Sequence, residues 1–492
     1  MSTLPGTNAH TRQFAKGILA DASAFKGRTV EDINLNPSPA APRMEHDKTL
    51  DLELAAEDDV PDPLDTWARA EAQVARVLPI TDPSSRWKSN EEAQRTLKAY
   101  FPGLMRKATP WPDPMGDVAL RLLVTQGIGA HLLERAPGGG FVVDIGWMRN
   151  CEMRKPFAQL GARLFLDDAY KPTGIELGSR TVLPTRGRAW EKAKLVFRST
   201  LAAEATIVRH AVHCHFLVAN CAVVAVRRSL RPKHALRRLM IPFQYRNPTI
   251  NRDAALLLLP KAALFHRLFG FKWWGLKKVY AHAKAVYICE TFPEELQRRG
   301  VADARDYPYG EDGLLFWNSV RAFVERYFDA VGLGEDVLTK NVGIQKWLQD
   351  LRAVSPTLRA VENRDDLLDL IAIYLFNATA VHEHAGGDIS FSLSNIGFVV
   401  PGVRKGERLE DMFPSRNSMI QSYMLGVLTS YKMPSLLEDW SIAMLTPQAK
   451  QVVVEWLAEL RELADTIEAR NAQREQPCNT YNPRFLELSV SI

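Results

Sequence analysis

Hydrophobic and polar positions change period along the chain. Residues 1–65 follow neither the helical nor the strand period. They are polar, proline-rich and acidic, with Asn34-Leu-Asn-Pro-Ser-Pro followed by Glu57-Asp-Asp-Val-Pro-Asp-Pro. Such a composition buries little apolar surface and predicts an extended or wrapping arm rather than a domain. From residue 66 the spacing turns helical, at Trp67–Val77 and again at Glu91–Tyr100. Between Gly138 and Leu183 short apolar runs, Phe141-Val-Val-Asp-Ile and Leu164-Phe-Leu, stand between turn residues and predict strands. From Trp190 onward helical spacing dominates. Glu191–Leu230 predicts one or two long helices whose centre is apolar all round, the pattern of a helix buried in a large bundle. Further helices are predicted at 312–331, 365–384, 415–430 and 446–470. The last segment carries Pro477 and Pro483, which predict an extended path. Its apolar end, Leu488-Ser-Val-Ser-Ile, predicts a terminus held inside the protein, since free ends fray unless tied down. The fold class expected is mainly α: one large helical domain over residues 66–492 with a few short strands, preceded by the arm.

Composition narrows this picture modestly. Of 492 residues, 46% are hydrophobic and 24% charged, ordinary for a chain with a substantial core. The net charge of +5 comes from 62 basic and 57 acidic residues that are interleaved. Only Arg227–Arg238 approaches the basic stripe of a nucleic-acid binder, and it also reads as the solvated end of a helix, so no nucleic-acid partner is expected. The five cysteines (Cys151, Cys214, Cys221, Cys289 and Cys478) lack CxxC spacing, which argues against a disulfide framework or a thiolate zinc site and for a reducing compartment. Met1–Ala20 has no signal-like apolar core. No run reaches the roughly 18 apolar residues of a membrane span; Phe216–Val226 is the longest candidate and Asn220 interrupts it. A cytoplasmic location without a transmembrane segment is expected, with peripheral membrane contact left open.

Histidine placement adds chemistry. Five of the eleven fall in two short apolar windows, Arg209-His210-Ala-Val-His213-Cys-His215-Phe-Leu and Ala378-Thr-Ala-Val-His382-Glu-His384-Ala-Gly386. A lone buried imidazole is ordinarily a hydrogen-bonded core residue. Two clusters on separate apolar helices instead point to metal, because neutral imidazole is the commonest metal ligand and is costly to bury without a partner. On a regular α-helix His210 and His215 stand about 140° apart and cannot share an ion unless the winding widens into a π-bulge. His210 and His213 stand about 60° apart and could do so without distortion. There is no HExxH, which disfavours a zinc protease. Nitrogen and oxygen donors without thiolates suit iron or manganese with positions open for dioxygen.

Several patches from about residue 120 onward resemble the lipoxygenase family. Trp190-Glu-Lys-Ala-Lys-Leu-Val-Phe-Arg-Ser looks like that family's Trp-x-x-Ala-Lys helix start. Val223-Val-Ala-Val-Arg-Arg-Ser-Leu, His234-Ala-Leu-Arg-Arg-Leu-Met-Ile-Pro and Ile250-Asn251 look like the segment after its first ligand pair. Pro293-Glu-Glu-Leu-Gln-Arg-Arg-Gly-Val and Tyr307-Pro-Tyr-Gly-Glu-Asp-Gly-Leu-Leu-Phe-Trp317 are near-signature matches. Ile467-Glu-Ala-Arg-Asn471 and Ser489-Val-Ser-Ile492 complete the series. The family's N-terminal β-sandwich is not expected, because the first 110 residues show no run of alternating strands.

The resemblance implies a large helical domain around one non-haem iron, with manganese the alternative ion. It implies ligands at His382 and at the carboxylate of Ile492. An alignment nearly free of gaps from Trp190 puts Ala205 and His210 at the first ligand pair. A gapped alignment keeps the His-x4-His spacing as His210 and His215, and it is preferred because chemistry constrains ligands more than loop length. Where the family carries Asn or His four residues past His382, this chain has Gly386. His213 and His384 are therefore held as further candidate ligands. The implied reaction takes a hydrogen atom from a doubly allylic methylene of a polyunsaturated fatty acid, and dioxygen adds to give a hydroperoxide. Leu256, Leu259, Ala262 and Ala263 are candidate walls of the apolar pocket, although core packing explains each of them singly. The competing readings are a diverged oxygenase for a non-lipid substrate and a silent lipid-binding protein that has lost its metal.

Overall fold

The computed structural model describes residues 113–490 apart from scattered positions between 246 and 263, Pro356, residues 387–400 and residues 415–433; it also describes Glu92 and Arg95. The arm at 1–65, the helices expected at Trp67–Val77 and 415–430, and Ile492 lie outside the described residues.

The chain enters through α1, Asp117–Thr125. The expected strands follow as a meander, β1 Leu133–Arg135, β2 Phe141–Asp144, β3 Arg163–Leu166, β4 Pro172–Leu177 and β5 Arg180–Val182, in sheet order β1-β2-β3-β4-β5 and antiparallel throughout. Alternation sets its faces: Phe141, Val143, Leu164 and Leu166 turn into the core.

Gly187, with φ at 51°, makes the corner into α2, a continuous helix over Arg188–Ser229. A window of this helix is apolar enough to cross a membrane, but 83% of that window is buried inside the protein, which is how a bundle's central helix reads. α2 is wound in three parts: α over Arg188–Ala203, π over Glu204–Ala219, and α again over Asn220–Ser229. Around it stand α3 Ala235–Met240, α4 Trp273–Val286, α5 Phe292–Arg298, α6 Pro308–Ala330, α7 Val342–Val354, α8 from Arg364–Phe376, and α9 Pro447–Asn471. α8 turns π over Asn377–Val381 and is α-wound again through residues 382–386. α4 and the π-turn of α8 pack on the π-wound part of α2, α7 packs on its last part, and α6 packs against both α8 and α9. The mainly helical fold with a few short strands is thus as expected.

The basic run at 227–238 differs from expectation. Arg237 and Arg238 are buried, donating to the carbonyls of Leu230 at 2.8 Å and Ala443 at 2.6 Å, so these two tie loops together instead of facing solvent. All five cysteines are free thiols.

After α9 the chain reverses towards its C-terminus. Asn471 accepts from the amide of Cys478 at 2.8 Å and donates to its carbonyl at 3.1 Å. Tyr481 stacks on Phe376, one residue before the π-turn of α8, with ring centroids 5.6 Å apart. Leu488 and Val490 are buried, and Ser489 Oγ donates to the carbonyl of Tyr245 at 3.0 Å. The fully buried carboxylate of Asp312 on α6 anchors the corner, accepting from Arg470 at 2.9 Å and from Arg474 at 2.6 and 2.9 Å. Removing one partner of a buried ion network leaves charge unpaired, so Asp312→Ala is expected to lower the unfolding free energy by about 3 kcal/mol. Glu459→Ala, which breaks a half-exposed pair with Arg326, is expected to cost less than about 1 kcal/mol. Urea unfolding of the two variants checks this, and equal small losses would contradict the anchoring role.

Candidate metal centre

The two histidine windows meet where the two π-wound segments face one another. A π-turn closes its hydrogen bonds from i to i+5, so residues five apart stack instead of diverging. His210 and His215 accordingly share a face of α2, with their Nε2 atoms 3.1 Å apart. His382, the first residue after the π-turn of α8, brings its Nε2 to 3.1 Å from that of His210. The three nitrogens lie within 4.8 Å of one another and all three side chains are buried. Widened winding costs backbone energy; here the π-wound segments are almost wholly buried, and the Asn377 amide donates to the carbonyl of Cys214 at 3.4 Å.

Asn251 sets the protonation of His215. Its Oδ1 lies 2.7 Å from His215 Nδ1, and its Nδ2 donates to the His215 carbonyl at 3.4 Å. The amide orientation therefore places the proton on Nδ1 and leaves Nε2 with a bare lone pair aimed into the cluster. His210 Nε2 carries at most one proton and cannot donate to both neighbours. Burial, and the adjacent His215, hold the His210 imidazole well below its usual range, so it is neutral. Three buried imidazole nitrogens gathered at one spot suit one cation. A metal–nitrogen bond of about 2.1 Å sets ligands at right angles about 3.0 Å apart, close to the two 3.1 Å separations. The residues present therefore fit a metal ion.

His213 and His384 do not join them. His213 points across to α4 and bonds the carbonyl of Ala283 through Nε2 at 2.8 Å. His384 lies two residues beyond His382, on the far side of a regular turn, and bonds the Gly127 carbonyl at 2.9 Å. Ala205, the ligand position of the gapless alignment, is a buried core residue of α2. Gly386 lies against the cluster: a Cβ there would stand 3.0 Å from His210 Nε2 and 3.6 Å from His382 Cε1. The position that lacks a side-chain donor is thus also one where His210 occupies the space a side chain needs. Leu259 is buried, its carbonyl accepting from Tyr280 at 3.0 Å, while Leu256, Ala262 and Ala263 lie outside the described residues.

Two features escaped the sequence reading. Asn251 sits within a patch already matched to a family, yet nothing in the pattern showed that it would clamp His215. Glu204, at the first turn of the π-wound part, is a buried acid whose carboxylate meets His131 Nε2 at 3.0 Å. A glutamate inside an apolar helix was its only signal.

The lipoxygenase family model matches residues 178–386, the span that holds all three histidines and Gly386. Linoleate 9/13-lipoxygenase of Pseudomonas aeruginosa is 28% identical over 203 residues, covering 39% of this chain and 29% of that protein. Polyunsaturated fatty acid lipoxygenase ALOX15 of Mus musculus is 24% identical over 329 residues, 62% of this chain and 49% of that one. The chain therefore aligns with less than half the length of these curated relatives. Among solved structures, a calcium-dependent 11R-lipoxygenase superposes with a TM-score of 0.73 at 16% identity over 100% of this chain and 82% of that one. Coral 8R-lipoxygenase gives 0.73 at 16% over 88% and 76%. Fold and site together define a helical domain built around a three-histidine centre. The chain is thus similar to the lipoxygenase family in sequence over residues 178–386 and shares the fold of solved lipoxygenases.

Two predictions follow from the geometry. Burial pushes the Glu204 carboxyl up to about 7. A raised carboxyl contributes stability that is present below its unfolded value near 4.5 and is lost as pH rises through 7. Glu204→Gln, which keeps a donor for His131, is expected to match the parent near pH 4.5 and to exceed it by on the order of 3 kcal/mol at pH 8. Chemical unfolding across that range tests it, and a difference that does not move with pH would contradict it. Separately, Gly386→Ala is expected to push His210 out of line and weaken metal affinity by about tenfold, since misdirected ligands typically lose that much. Unchanged affinity in a competition titration would mean that the His210 ring is not held there.

Proposed function

We propose that this chain is a non-haem iron dioxygenase of the lipoxygenase type, oxidising a polyunsaturated fatty acid to a hydroperoxide. The observation carrying this reading is the convergence of His210, His215 and His382 through paired π-turns, with the proton of His215 fixed on Nδ1 by Asn251. Relatives named for linoleate and for polyunsaturated fatty acids support that substrate class. The three imidazoles would hold the ion, and the carboxylate of Ile492 is proposed as a further ligand. The burial of Leu488 and Val490, which lead towards it, supports that assignment. Iron held there would supply a one-electron couple, taking up an electron as a doubly allylic C–H bond breaks and returning it, with the proton, as the dioxygen adduct becomes the hydroperoxide.

The chain's own residues set the conditions for that chemistry. Asn251 orients the His215 ring and raises the basicity of its free nitrogen, as the outer partner of a ligating histidine does. Apolar side chains around α2 and α8 keep bulk water from the centre. Gly386 leaves the set one side-chain donor short of the family pattern. That observation favours a second reading, a diverged oxygenase acting on a non-lipid substrate.

Purified protein is expected to carry close to one equivalent of iron, or of manganese in its place, and to consume oxygen with linoleate. His382→Gln is expected to drop metal content below about a tenth of an equivalent, because few ligands remain to hold the ion. Removing Ile492 is expected to abolish oxygen uptake. A metal-free parent would overturn the enzyme reading in favour of a silent lipid binder. Metal without fatty-acid turnover would favour the second reading, and full activity without Ile492 would exclude its carboxylate as a ligand.

A further inference from the structure

Helix α4 packs on α2 with one side and leaves the other to solvent. Gly275, Leu276, Val279 and Ala283 face inward, while Trp274, Lys277, Lys278, Ala281 and Ala285 form an exposed stripe. Between Phe271 and Ile288 the sequence holds four lysines and no carboxylate. Trp274 is 67% exposed, and Ile288 and Val286, at the far end of the helix, are 51% and 43% exposed. These are three of the nine large hydrophobic residues exposed among the described residues, two on α4 and Ile288 just past its end. The Lys277 ammonium lies 4.9 Å from the Trp274 ring centroid, so cation and indole share one patch.

The loop beside α4 extends this surface and makes it rigid. Lys272 donates its amide to the Glu152 carbonyl at 2.8 Å, Lys278 Nζ reaches the carbonyl of Asn150 at 3.2 Å, and Trp147 stacks on His282 with centroids 3.7 Å apart. A side chain at Gly275 would collide with the backbone of Glu152, so the close approach requires glycine. The loop adds exposed Arg149 and Lys155, and its acid, Glu152, is already paired with Lys272 at 3.0 Å.

An exposed indole among lysines, on a helix some 21 Å long with small residues between, suits a planar anionic interface better than a shaped protein groove. We propose that the outer face of α4, with the adjoining 149–155 loop, docks on a membrane surface containing anionic phospholipid. Lysines there gain from the negative surface potential, and Trp274 and Ile288 enter the headgroup region. The proposal is independent of the oxygenase reading: it requires neither metal nor turnover.

Sedimentation of the full chain with vesicles tests it. Binding is expected to phosphatidylcholine vesicles containing phosphatidylglycerol, to weaken with salt, and to be poor without the anionic lipid. Lys277→Gln with Lys278→Gln is expected to weaken binding by about tenfold or more. Trp274→Ala is expected to weaken it several-fold and to remove quenching by brominated lipid. Val342→Ala, at an exposed valine on α7, is expected to change nothing. Thermal melts matching the parent show that the variants are folded. Absent binding, binding indifferent to anionic lipid, or equal binding by the α4 variants would overturn the proposal. It would equally be overturned if those variants altered only self-association or the protease sensitivity of residues 1–112, which would mean that protein covers the face.

Discussion

Everything at the centre depends on how two helices are wound. Residues five apart on an α-helix diverge, and His210 and His215 would point away from each other. In the π-wound part of α2 they stack, and a second π-turn in α8 delivers His382 to the same point. Neither distortion would persist in an isolated helix. Both persist here because the segments are buried and packed against each other, so regularising one would break contacts with the other. A core of this kind is bistable at best, not continuously adjustable, which explains how backbone strain can be turned into ligand geometry.

The polar groups buried around this point form two separate sets. On one side His210, His215 and His382 turn their Nε2 atoms towards one point, with Asn251 fixing the tautomer of His215. On the other, His131 meets the Glu204 carboxylate and packs edge-on against His384, which bonds the Gly127 carbonyl. His213 bonds α4 and so ties the central helix to the element that carries the exposed basic stripe. The histidine cluster, the packing and the exposed basic stripe are therefore linked through α2.

Much of this was legible in the sequence, for identifiable reasons. Long apolar periodicity gave the central helix, alternation gave the meander, and the five-residue histidine spacing already demanded a π-bulge if both rings were to meet. What could not be read was direction. His384 and His213 carry the same chemistry as their neighbours, and only the winding decides that they face Gly127 and Ala283. The arginines at 237 and 238 looked like solvent-facing charge because sequence does not show which carbonyls a loop will leave needing donors. Gly386 read as a missing ligand, whereas in the fold it is also the backbone against which His210 rests.

The central claim is that these three imidazoles bind one ion together. X-ray absorption at the metal edge of the iron-loaded protein tests it most directly. The expected scattering pattern requires three imidazoles at about 2.1 Å, falling to two in His215→Ala. A metal shell fitted without histidine scattering, or one unchanged in that variant, would contradict it.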